Sequence, residues 1–300
     1  MERETVEVNE GGTNRMHLQR VAIQGELGSN SHMAALAMLG DVDLVPCAIS
    51  ADVFDRLLDG SVDAAVLPIE NSLHGSVAEH YDLLLQHPVR ITAESLLRIR
   101  FHLIAMPGVA LGDLRRVLSH PVALAQCRRF LTQHRQLEAV AFYDTAGSVK
   151  HLMEAQLRDT AGIAPELAAS QYGGQILLSG LEDHAQNFTR FHLLRTATRP
   201  AGASGGLGPA ADSAEAACNK MSVAFSIDHR PGTLVAALQL LAEAGVDLSK
   251  IESRPVPGHP WEYVFYVDLR FDRVARAEAA LAALRAHCRM VKELGRYQAA

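Results

Sequence analysis

Polar side chains that can bind ligands or move protons directly follow several predicted strands. They stand in five segments: GELGSNSH (25–32), ENSLHGS (70–76), SHP (119–121), DTAGS (144–148) and NFTRF (187–191). In open α/β sheets, ligands bind outside the carboxyl ends of the strands. Most of these segments precede helices, whose free N-terminal N–H groups attract anions. The pattern predicts a cleft for a small carboxylate ligand, although each group taken alone could simply cap a helix.

Arg190 is the unusual member of this set, because it places a permanent charge within the strand-like stretch NFTRFHLL. A guanidinium matches a carboxylate through two parallel hydrogen bonds. We therefore expect Arg190 to hold a ligand carboxylate. The alternative is an ion pair with an internal acid such as Asp183 or Glu182, and the stretch by itself leaves both interpretations open.

The elements that must position these groups alternate between short apolar runs and amphipathic stretches. Across residues 19–197, strands alternate with helices of about 10–15 residues, which favours parallel α/β sheets in two lobes with a cleft between them. The β-like segment ESLLRIRFHLIAM (94–106) is long enough to cross from one lobe to the other. Residues 198–217 are rich in Gly, Ala, Ser and Pro and predict a linker. Residues 218–300 follow a βαββαβ order, the ferredoxin-like split motif.

Composition excludes several classes of protein. The 300 residues suit two domains, and the net charge of −6 gives no basic surface for nucleic acid or membrane. There is no run of 18 apolar residues to span a bilayer, and the polar segment 1–18 predicts a disordered tail. Four widely spaced cysteines suit a reducing cytoplasm. The histidines show no metal-ligand spacing, so we expect no metal site.

Six motifs together resemble the prephenate dehydratase family. They are GELGSNSH, LPIENSLHGSV, SHPVALAQC, NFTRF, PGTLVAAL and KIESRP, in the family's order over residues 20 to 295. The resemblance implies two α/β lobes like a periplasmic binding protein, followed by an ACT domain. It also implies the monofunctional form, without a preceding chorismate mutase segment. The implied reaction converts prephenate to phenylpyruvate with loss of carbon dioxide and hydroxide, and it needs no cofactor.

The resemblance also implies roles for single residues. Arg190 would hold one carboxylate of the prephenate dianion, and Thr189 would donate a hydrogen bond to the departing hydroxyl. Glu70 could supply a proton if its site raised its pKa from about 4.3. The implied cleft residues are Glu70, Asn71, Ser72, Ser119, Gln126, Thr189 and Arg190, with Ser29, Ser31, Thr145 and Phe191 as further substrate contacts. Capping by Asn71 and Ser72, and simple solvation of Gln126, are the structural alternatives.

In the C-terminal part, the resemblance implies an L-phenylalanine site at an interface between two ACT domains. Its residues would be Gly232, Thr233, Leu234, Val235, Asp247, Glu252, Ser253, Arg254 and Pro255. Asp247 stands where the family usually has asparagine, which leaves the identity of the effector open. ACT pairing predicts a homodimer or a dimer of dimers. Two other functions compete with prephenate dehydratase: arogenate dehydratase, with the same chemistry on the aminated substrate, and a non-catalytic amino-acid sensor.

Overall fold

The computed structural model describes residues 18–197, 218–256 and 261–300. The predicted tail at 1–18, apart from Leu18 itself, and the predicted linker at 198–217 lie outside the described residues. Within the described ranges, no helix is both long and apolar enough to cross a membrane. Two sheets organise this part of the chain, one of ten strands and one of five.

Lobe one begins the larger sheet. Its elements are β1 (Arg20–Gln24), α1 (Asn30–Leu39), β2 (Asp43–Cys47), α2 (Ser50–Leu58), β3 (Ala64–Asn71), β4 (Gly75–Ser76), α3 (Ala78–Gln86) and β5 (Val89–Arg98). Strand β1 pairs in parallel with β2 and β3. Its central residues Val21, Ala22 and Ile23 are buried on both faces, as in a sheet covered by helices.

Lobe two forms the five-stranded sheet. Its elements are β6 (His102–Ala105), α4 (Pro121–Gln126), α5 (Arg128–Gln133), α6 (Thr145–Glu154) and α7 (Glu166–Tyr172), with β7 (Arg116–Ser119), β8 (Glu138–Ala141), β9 (Thr160–Ala164) and β10 (Gln175–Ser179). The segment PVALAQCRRFLTQH, predicted as one helix, forms two. The break falls at the buried Cys127, whose φ of −120° and ψ of 31° are not helical.

The chain crosses between the lobes twice. The prediction that residues 94–106 cross from one lobe to the other is confirmed, because β5 belongs to the first sheet and β6 to the second. Strand β11 (Phe188–Thr196) then returns to lobe one, where it lies antiparallel between β3 and β5. The predicted parallel pairing is present in β1, β2 and β3, and the returning strand adds an antiparallel member to the same sheet. The same return places the NFTRF segment beside the end of β3.

The C-terminal domain has the predicted βαββαβ order. Its elements are β12 (Lys220–Ser226), α8 (Thr233–Glu243), β13 (Asp247–Pro255), β14 (Tyr263–Arg270), α9 (Val274–His287) and β15 (Met290–Tyr297). Strand β15 lies next to β5, with Gly295 opposite Ile91, so the sheet of this domain continues that of lobe one. A Cβ atom on Gly295 would overlap the backbone of Ile91, so this close approach requires glycine.

Lobe one and the C-terminal domain share a hydrophobic core. Tyr81 and Leu84 of α3 pack with Tyr266 and Leu294 of the C-terminal domain, and the two tyrosine rings lie 5.0 Å apart in an edge-on arrangement. Helices α8 and α9 cover the opposite face of the C-terminal sheet with a separate core. The C-terminal domain is therefore packed on lobe one, with apolar surface buried between them.

A group of buried and partly buried charges lies within this contact. We call it the buried charge cluster: Glu70, Glu94, Arg190, Lys220, Lys250 and Asp268. Arg190 of β11 is 5% exposed, and its guanidinium contacts Asp268 of β14 and, at 3.2 Å, Glu94 of β5. Lys220 of β12 lies 2.8 Å from Glu94. Three cations thus balance three carboxylates contributed by both domains, which is the condition for burying charge without a large penalty.

The electrostatics of the cluster favour its charged form. Burial by itself would raise the pKa of the Asp268 carboxyl, but the charges of Arg190 and Lys220 outweigh burial and hold that pKa below its ordinary value. Ser222 adds a hydrogen bond of 2.6 Å to Asp268. The neighbouring His192 behaves differently, because burial and the charge of Arg190 lower its pKa well below the ordinary value and keep it neutral.

Removing the Arg190 charge should therefore destabilise the protein strongly. We expect Arg190→Met to lower the free energy of unfolding by about 3–5 kcal/mol, because Asp268 and Glu94 would each lose a buried cation and share only Lys220. Arg116→Met, which removes a half-exposed partner of Asp159, should cost at most about 1 kcal/mol. Urea unfolding of both variants measures the difference.

A double variant sharpens this test. Adding Asp268→Asn to Arg190→Met should cost less than the sum of the two single changes, because the acid is then neutral as well. Equal stability losses for Arg190→Met and Arg116→Met would contradict the role of Arg190 in the cluster.

Candidate active site

A cavity of about 540 Å³ lies between the two lobes. Its walls come from β1, β2, β3 and β11 and from the segments that follow β1, β7 and β8, the position expected for a ligand in an α/β fold. This volume is usual for a small-molecule site. The predicted residues that line it are Ser29, Ser31, Glu70, Asn71, Gln126, Thr145, Thr189 and Phe191.

A network of amides holds the Thr189 hydroxyl on the cavity wall. Asn71 and Thr189 lie opposite each other on β3 and β11, and Asn71 Nδ2 donates to Thr189 Oγ1 at 3.0 Å. The same Nδ2 donates to Asn187 Oδ1 at 2.7 Å, and Asn187 Nδ2 donates to Gln126 Oε1 at 2.9 Å. Because the Thr189 oxygen accepts from Asn71, its own O–H can donate to a ligand in the cavity.

Asn187 is a site residue that the sequence interpretation missed. It is completely buried directly before β11, and it joins the ends of β3 and α4 by contacting Asn71 and Gln126. Gln126 is accordingly not a solvated helix residue, since its side chain is tied into this network. The signal was present as the first residue of NFTRF, a polar side chain directly before the threonine.

Arg190 does not line the cavity, contrary to the prediction. Successive side chains of a strand point to opposite faces, so Thr189 and Phe191 face the cavity while Arg190 faces the C-terminal domain. The guanidinium is occupied by acids of the buried charge cluster. Arg190 does form internal ion pairs, as the alternative interpretation expected, but its partners are acids of the buried charge cluster and not Asp183 or Glu182.

The two acids named in that alternative have other contacts. Asp183 accepts the backbone N–H groups of Arg128 and Arg129, each at 3.0 Å. Glu182 accepts the N–H of Phe101 at 3.0 Å. Both carboxylates therefore organise the backbone of lobe two.

Glu70 lines the cavity but belongs to the buried charge cluster as well. Arg190 Nε lies 2.8 Å from its Oε1, an ion-pair contact that is not aligned as a hydrogen bond, and Lys250 Nζ contacts its Oε2. Each carboxylate oxygen therefore faces a cation. This geometry does not favour the predicted role of Glu70 as a proton source, because neither oxygen is left to carry a proton to a ligand.

Ser72 and Ser119, two further predicted cleft residues, are not among the residues that line the cavity. The Ser72 hydroxyl donates to the Gln186 carbonyl at 3.3 Å and accepts from the Phe188 N–H, which fastens the start of β11 to the end of β3. Ser119 is fully buried and donates to the Ile163 carbonyl at 2.5 Å. Both contacts hold the backbone that positions the cavity residues.

Asp144 forms part of the opposite wall, on lobe two. Its carboxylate caps α6 by accepting the Gly147 N–H at 2.7 Å, as expected for an N-cap aspartate. Burial raises the pKa of this carboxyl, and the hydrogen bond from Gly147 opposes the rise. The carboxylate also packs against Gly25, where a Cβ atom would lie only 2.7 Å from Oδ2.

An ion pair joins the two lobes across the cavity. Lys150 Nζ of α6 lies 3.0 Å from Glu26 Oε2, in the loop after β1. The Tyr143 hydroxyl donates to Glu26 Oε1 at 2.8 Å. Among the cavity-lining residues that the structure describes, Lys150 is the only lysine or arginine. The sequence interpretation missed this residue, because a single lysine on an amphipathic helix usually reads as a solvated surface position.

A second cavity, of about 240 Å³, lies in the C-terminal domain. The predicted residues Gly232, Thr233, Leu234 and Val235 line it at the start of α8, together with Trp261, Tyr263 and Phe265. The described ranges hold no group of three or more His, Cys, Asp and Glu residues that could bind a metal ion.

The remaining predicted effector residues lie apart from this second cavity. Glu252 of β13 accepts a hydrogen bond from Ser76 at 2.7 Å, and Arg254 pairs with Asp82 at 2.7 Å, so both side chains contact lobe one. Asp247 is exposed at the start of the same strand, and Ser253 and Pro255 follow on it. Within one chain, the residues predicted to form one effector site are therefore separated.

Comparison with known proteins gives consistent results. A model of the prephenate dehydratase family matches residues 21–199, and a model of the ACT domain matches residues 222–288. Arogenate dehydratase/prephenate dehydratase 2 of Arabidopsis thaliana is 38% identical over 288 residues, covering 93% of this chain and 72% of the relative.

Solved structures agree with the sequence comparison. The prephenate dehydratase of Arthrobacter aurescens in complex with L-Phe is 30% identical, with a TM-score of 0.80 and coverage of 93% and 90%. GqqA, described as a novel type of quorum quenching acylase, is also 30% identical, with a TM-score of 0.81 and coverage of 94% and 98%. The chain belongs to the prephenate dehydratase family and carries a C-terminal ACT domain.

Proposed function

We propose that this chain catalyses the decarboxylation and dehydration of prephenate, or of its aminated counterpart arogenate, to an aromatic product. The observation that supports this proposal most directly is the Thr189 hydroxyl, which lines the cavity and accepts a hydrogen bond from Asn71, so that its own proton is available to a ligand. Family membership and the small-molecule size of the cavity agree with it.

The reaction needs hydrogen bonding and exclusion of water more than covalent help. The bond between the ring and its carboxylate breaks, and its electron pair enters the ring as carbon dioxide leaves. The ring then expels hydroxide from the carbon opposite the one that carried the carboxylate. The ring becomes aromatic, which drives the reaction. Charge develops on the departing oxygen, so a fixed donor at that point lowers the barrier. Thr189 supplies such a donor, although an aliphatic hydroxyl is too weak an acid to give up its proton fully.

Asp144 is our proposed proton source for the departing hydroxide. It lines the cavity, and burial raises the pKa of its carboxyl. A raised pKa increases the protonated fraction that a general acid requires near neutral pH. Hydrogen bonds from the backbone of Gly147 and of Glu26 fix the position of the carboxyl group.

Two other functions have less support. A non-catalytic sensor would not need the Thr189–Asn71 contact at the cavity. Acyl hydrolysis by a serine needs a hydroxyl beside a base, yet among the cavity-lining residues described here no serine hydroxyl is hydrogen-bonded to a histidine ring.

Substitution of Thr189 tests the proposed reaction. The wild-type protein should form phenylpyruvate from prephenate, or phenylalanine from arogenate. Thr189→Val keeps the shape but removes the donor, so kcat should fall by about 10²–10³-fold with little change in KM. Thr189→Ser should retain part of the activity. A rise in KM alone for the valine variant would show that the hydroxyl contacts only the ground state.

The pH profile tests Asp144. A general acid works in its protonated form, so kcat should fall as pH rises through the raised pKa of Asp144. Asp144→Asn should lower kcat by about 10²–10⁴-fold and remove this dependence on pH. The exposed Asp41→Asn serves as a matched control and should keep the wild-type profile. If Asp144→Asn retained the alkaline fall in kcat, another group would be the acid.

We further propose that L-phenylalanine is an effector that binds in the cavity at the start of α8. Free N–H groups at a helix N-terminus suit its carboxylate, and the aromatic lining of Trp261 and Tyr263 suits its ring. The additional participation of Asp247 and Glu252–Pro255 stays a prediction that concerns an assembly of two chains.

Homodimers or dimers of dimers would form through the ACT domain, where β13 ends the sheet within the described residues. The cytoplasmic location also stays a prediction, since several relatives are named as chloroplastic.

Calorimetry on the full chain tests the effector site. Val235→Glu places a carboxylate in the cavity, and its repulsion of the ligand carboxylate should weaken phenylalanine binding about tenfold or more, equivalent to at least 1.4 kcal/mol. Val274→Glu makes the same change in the first turn of α9, outside the cavity, and should bind as the wild type does. Unchanged binding by Val235→Glu would contradict this location.

A further inference from the structure

The cavity contains one feature that the proposed reaction does not use, the ion pair between Glu26 and Lys150. We propose that these two side chains bind the ammonium and carboxylate groups of an α-amino acid side chain on the substrate, and so make the enzyme select arogenate over prephenate. This inference rests on the proposed function and specifies its substrate.

Lys150 is the cation that can bind the substrate's side-chain carboxylate. Both substrates carry a side-chain carboxylate, which a positively charged side chain can bind. Arg190 is committed to the buried charge cluster and does not line the cavity. Lys150 is the remaining candidate among the described lining residues, and its side chain is 36% exposed. The flexible stem of a lysine allows its ammonium group to turn from Glu26 to a ligand carboxylate.

The ammonium half depends on Glu26. A carboxylate only accepts hydrogen bonds, so it binds an ammonium group but repels the keto oxygen that prephenate carries at the same carbon. Tyr143 already donates to Oε1 of Glu26, which fixes the carboxylate and leaves Oε2 for a ligand. In the structure described here, Oε2 faces Lys150 at 3.0 Å. Glu26 is therefore placed to contact a positive group beside Lys150.

Exchange of partners explains the selectivity. When an amino-acid group enters, Glu26 gives up Lys150 for the ligand ammonium, and Lys150 gives up Glu26 for the ligand carboxylate. Both protein charges stay paired. With prephenate, Lys150 turns to the carboxylate and Glu26 is left in the cavity facing a keto oxygen. An unpaired polar group of this kind is how a binding site rejects an analogue that lacks the matching donor.

The two groups come from different lobes, which adds a geometric requirement. Glu26 follows β1 in lobe one, whereas Lys150 and Tyr143 belong to lobe two. A ligand with both an ammonium and a carboxylate group would connect the two lobes, as the Glu26–Lys150 ion pair does when no ligand is bound. A ligand bearing only the carboxylate contacts one side of this bridge.

Kinetics with both substrates test the proposal. The wild-type enzyme should show a higher kcat/KM for arogenate than for prephenate. Glu26→Gln keeps the shape but removes the charge, and it should lower the arogenate-to-prephenate ratio of kcat/KM by about tenfold or more. Glu26→Asp should retain the preference in part. Glu154→Gln removes a negative charge from an exposed position on the same helix as Lys150 and should leave the ratio unchanged.

The outcomes separate this inference from the proposed function. Turnover of neither substrate by the wild type would contradict the proposed function, and the binding of arogenate and prephenate measured by calorimetry would then decide the selectivity. A ratio that stays the same in Glu26→Gln and Glu154→Gln, in kinetics or in binding, would overturn the role of Glu26. Thermal unfolding of each variant shows that the compared proteins are folded.

Discussion

The buried contact between Arg190 and Asp268 is the constraint on which the rest of the structure depends. It fixes β11 against the C-terminal domain, while hydrogen bonds fix the same strand between β3 and β5. A buried charge is tolerated only when its partners are complete, so both domains must be folded and in register for the cluster to form. The shared apolar core supplies the driving force, and the cluster supplies the specificity of the arrangement.

The alternation of side chains along β11 connects this contact to the cavity. Thr189 faces the proposed reaction site and the next residue, Arg190, faces the ACT domain. A movement of the C-terminal sheet would therefore act on the backbone directly beside the Thr189 hydroxyl. Glu70 extends the connection, because it lines the cavity and pairs with Lys250 of β13. The regulatory domain and the catalytic wall thus share charged side chains as well as a sheet.

Local patterns predicted the architecture well, and non-local pairing was the main source of error. Strand–helix alternation and the βαββαβ order depend on short-range periodicity, which a sequence displays directly. The partner of Arg190 lies 78 residues away, and no local pattern points to it. One signal was nevertheless available: in a strand, Thr189 and Arg190 cannot both face the same cleft. The roles of Asn187 and Lys150 needed the folded neighbourhood of each residue.

The junction between the domains has a consequence for how such proteins can be recombined. The ACT domain meets lobe one through Gly295 packed on Ile91 and through acids and amines contributed by both partners. A regulatory module transplanted from another protein would have to bring an acid at the position of Asp268, a lysine at that of Lys220 and a glycine at that of Gly295. Exchange of the ACT domain is therefore restricted to donors that carry all three residues. Substitutions on one side of this junction accordingly limit which residues the other side can accept.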